Sequence, residues 1–297
     1  MKILLLGKNG QVGWELQRAL APLGEVIALD RAGKDELCGD LADLEGLCTT
    51  ISIVKPNIIV NAAAYTAVDN AENDKIATNI VNSEAPRILA EEALKVGAWL
   101  VHYSTDYVFD GSGNKAWEEN DEPNPLSEYG RSKLAGERAI ENSGCKYLIF
   151  RTSWVFGNRG KNFAKTMLQL ASSRQTLSVI NDQTGAPTSA ALIADCTAHA
   201  LRQAFNKPNL SGVYHLVASG QTTWYEYTKF IINQAQALGK ELVTIEIKPI
   251  TTAEYPTPAV RPHNSRLNTT KFCNSFGLVL PEWQQGVSRM LYDTINN

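Results

Sequence analysis

A doubly wound parallel sheet of the Rossmann type, joined to a second, smaller substrate-binding α/β lobe, is the architecture expected of this sequence. Short apolar strands alternate with helices of about 10–15 residues through the first half, as parallel βαβ units require. Those strands are apolar throughout, which suits a sheet covered on both faces. A glycine-rich turn directly follows the first of them. The 297 residues are 44% hydrophobic and 20% charged, which excludes a disordered or collagen-like chain and allows one large α/β unit or two domains.

Each element has its own signal. Lys2–Leu6 is a short apolar strand, and Gln11–Ala21 places Val12, Leu16, Ala19 and Leu20 on one helical face. Glu25–Leu29 is the second strand, and a short third strand is expected before Asp40. Asp43–Val54 reads as a helix stopped by Pro56, followed by the apolar run Asn57–Val60. Ser83–Val96 is a helix with Pro86 in its first turn and Gly97 past its end. Trp99–Ser104 and Tyr147–Thr152 are further strands. The second half is less regular: Leu177–Val179 and Gly212–Val217 read as strands and Trp224–Leu238 as a helix. Pro208, Pro256, Pro258 and Pro262 mark loops. The expected division is a dinucleotide-binding domain over 1–153, with interleaved segments near 177–218, and a substrate lobe that is mainly 154–297.

Charge and cysteine usage narrow the function. A net charge of −3 supplies no basic stripe for nucleic acid, and no apolar run reaches the roughly 20 residues of a membrane span. Five cysteines, an odd number with no CxxC, read as reduced apolar residues of a cytoplasmic protein. The four histidines are scattered, make no metal site, and read as structural.

Gly7, Gly10 and Gly13 have the spacing G-x-x-G-x-x-G between the first strand and the first helix. Glycines there permit a tight turn, close approach to a pyrophosphate and close helix packing, while the helix start, with Gln11 and Val12, offers amide donors. Asp30 ends the second strand, where a carboxylate can accept from an adenosine ribose and favour NAD. Arg31 and Lys8 could instead meet a 2′-phosphate and favour NADP. The expectation leans to NADPH with NADH tolerated. Asp40 and Leu41 are placed to cover the adenine, and the small side chains of Ala62, Ala63 and Ala64 after Asn61 let backbone lie against a cofactor.

Tyr129 and Lys133 form a YxxxK pair, which on a helix shares one face. A phenol beside an ammonium is a proton donor tuned toward neutral pH, because the cation favours phenolate. Thr105, or Ser104 before it, would hold a substrate carbonyl oxygen. A second YxxxK exists at Tyr225 and Lys229, but no hydroxyl-tipped sheet strand lies just upstream, so that pair reads as structural.

The glycine turn, Asn61–Ala64, Ser104-Thr105 and Tyr129/Lys133, in that order, resemble the extended short-chain dehydrogenase/reductase family. Gly7–Leu20, Val101–Asp110, Phe150–Val155, Val179–Thr188 and Arg261–Lys271 are similar to its dTDP-4-dehydrorhamnose reductase branch. The resemblance implies NAD(P)H-dependent reduction of the C4 keto group of dTDP-4-dehydro-β-L-rhamnose to dTDP-β-L-rhamnose. This is the last step of dTDP-L-rhamnose synthesis, which feeds O-antigen and other surface polysaccharides. It also implies that Tyr129 protonates the alkoxide, that Lys133 holds the nicotinamide ribose, and that Val68, Thr105, Asp106, Tyr107, Tyr129 and Trp154 meet the sugar. Tyr65 would line the cofactor, and Arg261 is assigned either to the diphosphate or to a surface or structural role. The family's magnesium-bridged homodimer uses glutamates. Glu15 is present, but Pro187–Ala191 lacks an acid and Asp293 stands where a glutamate would, so no metal is assigned and a homodimer stays open. A 4,6-dehydratase would read Thr-Asp-Glu where this chain reads Thr105-Asp106-Tyr107. A reductase giving dTDP-6-deoxy-L-talose and a non-catalytic regulatory subunit of the same fold remain as alternatives.

Overall fold

The computed structural model describes residues 1–296. Its longer strands are β1 (Lys2–Leu6), β2 (Glu25–Leu29), β3 (Ile58–Asn61), β4 (Trp99–Thr105), β5 (Lys146–Thr152), β6 (Thr176–Ile180), β7 (Gly212–His215) and β8 (Glu246–Ile250). Its longer helices are α1 (Gln11–Leu20), α2 (Leu44–Val54), α3 (Ala85–Val96), α4 (Glu128–Asn142), α5 (Phe163–Ala171), α6 (Ala190–Ala204), α7 (Trp224–Ala237), α8 (Thr270–Phe276) and α9 (Trp283–Asn296).

The main sheet has the order β7-β5-β4-β3-β1-β2, with every pairing parallel. Strand side chains alternate between two covered faces. Ile3 and Leu5 of β1 pack with Leu16 and Leu20 of α1 and Ile193 of α6. Leu4 and Leu6 pack on the other face with Leu47 and Ile51 of α2 and Leu89 and Ala93 of α3. All of these are fully buried, each contributing roughly 1.5–3 kcal/mol if leucine-sized. The expected doubly wound sheet is therefore present, and the order reverses at β1, where β2 lies to one side and β3 to the other.

After β5 the chain builds a smaller cluster. Helices α5, α7 and α9 close over Tyr227, Ile231, Trp283, Val287 and Leu291. Strands β6 and β8 pair in parallel and lie against Ile232 of α7 through Leu177 and Val179. Between these elements α6 and β7 return to the main sheet, α6 against α1 and β7 beside β5.

Two local expectations fail. No third strand precedes Asp40; Lys34 and Leu37 instead bridge across a tight turn through Asp35, at φ 54°, and Glu36. The helix expected from Ser83 begins earlier, at Lys75, and passes through a π turn over Ile80–Glu84 before α3. Pro86 has no N–H to offer the Asn82 carbonyl, and the winding widens where a helix start was expected. That carbonyl then lies so close to α4 that a Cβ on Gly136 would stand 2.2 Å from it.

One buried ion pair ties α4 to the sheet. Arg151 of β5 donates from Nε and Nη2 to the Glu137 carboxylate at 2.7–3.2 Å, and its guanidinium lies 5.1 Å over the Phe109 ring. Arg151→Met should leave Glu137 buried and unpaired and cost about 3–5 kcal/mol of stability. Adding Glu137→Leu should recover most of that loss. Urea unfolding followed by circular dichroism checks both values, and a single-variant loss under about 1 kcal/mol would show that the pair does not hold α4.

Candidate functional site

The glycine turn sits at the carboxyl end of β1, where the strand order reverses and open α/β sheets bind ligands. Gly7 has φ 88°, and a Cβ there would stand 2.8 Å from the Ala63 amide nitrogen. A Cβ on Gly13 would stand 2.0 Å from the Gly7 carbonyl oxygen, so α1 can leave the turn at this angle only with glycine. At Gly10 the nearest atom to such a Cβ is 3.4 Å away. No side chain caps α1, which leaves its first-turn amides for an anion. Gln11 instead reaches the smaller lobe, meeting Asn162 Nδ2 at 3.2 Å, and Val12 packs against the main core.

Asp30 accepts from Asn9 Nδ2 at 2.6 Å and pairs with Lys8 at 3.4 Å. Arg31 is 83% exposed in its side chain and pairs with Asp40 at 3.1 Å. Two carboxylates and two cations thus share the edge beyond β2, the mixed set that both ribose readings need. Leu41 does not join them, because its side chain is buried with Leu29 and Leu47. Ala62, Ala63 and Ala64 follow β3 outside any regular element, and Tyr65 is held from both sides by Asn82. The Tyr65 amide donates to Asn82 Oδ1 at 2.8 Å, and Asn82 Nδ2 donates to the Tyr65 carbonyl at 3.0 Å.

Thr105 ends β4, and Tyr129 lies in the first turn of α4, which Ser127 caps by accepting from the Gly130 amide. The Thr105 hydroxyl acts on the Tyr129 phenol and partly offsets a rise caused by burial, with Asp106 adding to that rise. The phenol is pushed up to about 12. This corrects the expectation that Lys133 lowers it. Lys133 shares the helix face, but its Nζ donates to the Tyr103 carbonyl at 2.6 Å and lies 3.0 Å from His102 Nε2. Burial pulls the amine down to about 8.

Asp106 is buried, accepts from Thr105 at 3.2 Å, and has no partner at Oδ2. Burial pushes it up to about 6. Tyr107 meets Tyr129 edge-on with centroids 5.6 Å apart. Ser104, Thr152 and Ser153, at the carboxyl ends of β4 and β5, also hold buried hydroxyls without partners. Trp154 stands in the left-handed region at φ 49°, a conformation that costs an indole-bearing residue about 1–2 kcal/mol. It stacks on Trp224 with centroids 3.5 Å apart and packs against Gly185, where a Cβ would clash at 2.6 Å. Val68 opens a short helix whose Asp69 binds Arg261 at 2.8 Å, so Arg261 has a structural partner while its Nε is buried without one. Tyr225 and Lys229 lie apart from this edge as a cation–π pair on α7.

Sequence reasoning missed Asn82, His102, Trp224 and the Glu137–Arg151 pair. Only Asn82 carried a signal, the polar residue inside a helical run four positions before Pro86.

Sheet order, glycine turn and hydroxyl-tipped β4 facing an α4 tyrosine together are those of an extended short-chain dehydrogenase/reductase. Within that class the chain belongs to the RmlD substrate binding domain family, whose model matches residues 1–295. It is 56% identical over 291 residues to a dTDP-4-dehydrorhamnose reductase of Escherichia coli K12, covering 98% of this chain and 97% of that one. It is 46% identical to the Burkholderia thailandensis protein of the same name, covering 100% of both. The crystal structure of the Bacillus anthracis dTDP-4-dehydrorhamnose reductase in complex with NADP superposes with a TM-score of 0.87. It is 32% identical and covers 98% of this chain and 99% of that one. Among the described residues no helix is long and apolar enough to cross a membrane.

Because Asp106 is neutral more readily when folded, its contribution is greatest below its unfolded value near 3.8 and is lost as pH rises through about 6. Asp106→Asn should therefore raise stability by about 2–3 kcal/mol at pH 7.5 and by little at pH 4. Denaturant unfolding at the two pH values measures the difference, and equal effects at both would contradict a buried, elevated carboxyl.

Proposed function

We propose that this chain reduces the C4 keto group of dTDP-4-dehydro-β-L-rhamnose to dTDP-β-L-rhamnose with NADPH, NADH also being accepted, as the last step of dTDP-L-rhamnose synthesis. The observation that carries the reading is Thr105, at the end of β4, acting on the buried Tyr129 phenol one turn of α4 before buried Lys133, at the carboxyl edge of the sheet that also carries the glycine turn. The turn fits a dinucleotide: Gly7 and Gly13 permit the approach, Gly10 leaves room, and the α1 amides are uncapped. Asp30, with Lys8 and Arg31, is assigned to the adenosine ribose and its 2′ substituent. Ala62–Ala64 and Tyr65 are assigned to the cofactor's flank, and Lys133 to the nicotinamide ribose. The nicotinamide, when bound, supplies the hydride for the sugar C4.

Tyr129 supplies the proton. A phenol at about 12 stays protonated at neutral pH and yields to an alkoxide, a far stronger base. Thr105 steadies the reacting oxygen and the phenol. Val68, Asp106, Tyr107 and Trp154 are assigned to the sugar, Trp154 offering an apolar face and an indole N–H. The same reading divides the chain near residue 153 into a cofactor domain and a sugar lobe. It places the enzyme in the cytoplasm, as a homodimer without nucleic acid as a partner.

The test mixes the protein with NADPH and enzymatically generated dTDP-4-dehydrorhamnose, follows nicotinamide absorbance and identifies the sugar by NMR. No cofactor oxidation sinks the reductase reading, and dTDP-6-deoxy-L-talose as product sinks its stereochemistry. Tyr129→Phe should lower kcat at least about 100-fold with cofactor affinity nearly unchanged, whereas Tyr225→Phe should leave turnover intact. The reverse pattern would assign the chemistry to the wrong tyrosine.

A further inference from the structure

Arg159 lies in the chain that leaves the sheet after β5, and its side chain ends on the glycine turn. Its Nε donates to the Asn9 carbonyl at 3.1 Å and its Nη2 reaches Asn9 Oδ1 at 3.4 Å. Its guanidinium lies 4.2 Å from the centroid of the Trp14 ring on α1. The loop that carries it is braced at several points. Asn162 Nδ2 donates to the Gly157 carbonyl at 2.8 Å, and Lys165 Nζ donates to the carbonyls of Asn158 and Gly160. Gly160 turns the chain at φ 76°.

The other cations around the turn each meet an acid. Lys8 pairs with Asp30, Arg31 with Asp40, and Arg18 with Glu15 and Asp195. Asp293 of α9 accepts from Asn158, the residue before Arg159. Among the described residues Arg159 itself meets no carboxylate; its partners are a carbonyl, an amide oxygen and an indole face. Because the two carboxylates beyond β2 balance two cations there, Arg159 supplies the excess positive charge of this edge.

Asn9 sets where that charge acts. Its Oδ1 faces Arg159 while its Nδ2 donates to Asp30 Oδ2 at 2.6 Å. Asp30 stands where dinucleotide folds place the carboxylate that meets the 2′ position of the adenosine ribose. A single side chain therefore separates the guanidinium from that position. With Nε and Nη2 turned to Asn9, Nη1 keeps its donors for a ligand, and a phosphate suits an arginine fork.

We propose that Arg159 is a specificity-determining residue that binds the 2′-phosphate of NADPH, reaching over the glycine turn from the chain after β5. The inference deepens the reductase reading and rests on the turn holding a dinucleotide. The same edge takes a plain ribose, since Asp30 Oδ1 accepts from the Ala32 amide at 3.1 Å and has capacity for a 2′-hydroxyl. An unphosphorylated ribose thus depends on Asp30, and a phosphorylated one on Arg159.

Cofactor binding to the protein without sugar substrate tests this apart from turnover. Affinities for NADPH and NADH are read from nicotinamide fluorescence in wild type and in Arg159→Met, which keeps an apolar stem over Trp14 and whose fold is checked by circular dichroism. The Kd for NADPH should rise about 10-fold and that for NADH less than about 2-fold, as loss of a charge-assisted bond to the 2′-phosphate requires. Equal rises for both dinucleotides overturn the proposal, because they place Arg159 on the diphosphate or leave it only bracing Asn9. An unchanged NADPH affinity overturns it as well. Arg159→Lys keeps the charge and should retain most of the NADPH preference, whereas a loss as large as that of Arg159→Met contradicts the charge argument. Adenosine 2′,5′-bisphosphate should displace NADH from wild type about 10-fold more effectively than 5′-AMP, and Arg159→Met should lose that advantage; an advantage that survives the substitution overturns the assignment. If wild type shows this binding pattern yet oxidises no NADPH with the nucleotide sugar, the reductase reading fails while the cofactor assignment stands.

Discussion

Burying a primary amine beneath the carboxyl edge of the sheet is the most demanding constraint in this molecule. Lys133 is 1% exposed, and an amine so placed is costly unless every neighbour answers it. The answer comes from three elements at once. Strand β4 gives the Tyr103 carbonyl and His102, and β3 gives Asn61 behind the ring. Helix α4 itself gives Glu137, whose carboxylate is locked to Arg151 of β5. The seating of α4 on the sheet is thus a polar matter as much as an apolar one. Tyr129 and its neighbour Thr105 take their geometry from that seat.

The cofactor side depends on backbone closeness. Two glycines, Gly7 and Gly13, let β1, α1 and the chain after β3 approach to distances no side chain tolerates. Residue identities at such points are dictated by sterics within a few positions of sequence, and for that reason they were legible. So were the sheet strands, whose continuous apolar runs need no partner to be recognised, and the tyrosine–lysine pair, whose spacing alone puts it on one face. Preferring Tyr129 to Tyr225 rested on the strand before it; Tyr225 lies on α7 beneath the Lys229 ammonium.

What sequence could not convey is partnership at a distance. The Glu137–Arg151 pair, the Asp69–Arg261 pair and the His102 chain each join residues that no local pattern links. The direction of the Lys133 ammonium was misread for this reason: spacing put it beside Tyr129, while the Tyr103 carbonyl and His102 drew it into the sheet. The π turn before Pro86 was unreadable in a similar way. A proline inside a helical run reads as a boundary, yet tertiary packing against Gly136 of α4 rewards winding that continues around it.

The smaller lobe meets the sheet through a strained residue. Trp154 follows β5 after Ser153, and with its backbone in the left-handed region its indole stacks on Trp224 and packs against Gly185. Stacking at 3.5 Å, worth about 0.5–1.5 kcal/mol beyond area burial, offsets much of the backbone cost. Trp224 is in turn held by its indole N–H to Gln183, whose amide reaches Thr252 beyond β8. The orientation of Trp154 is therefore set by lobe elements, while its backbone is set by the sheet. An aromatic face so placed lets one residue register the position of both bodies, which is why its neighbours include a glycine and a second tryptophan where bulkier or smaller side chains would release it.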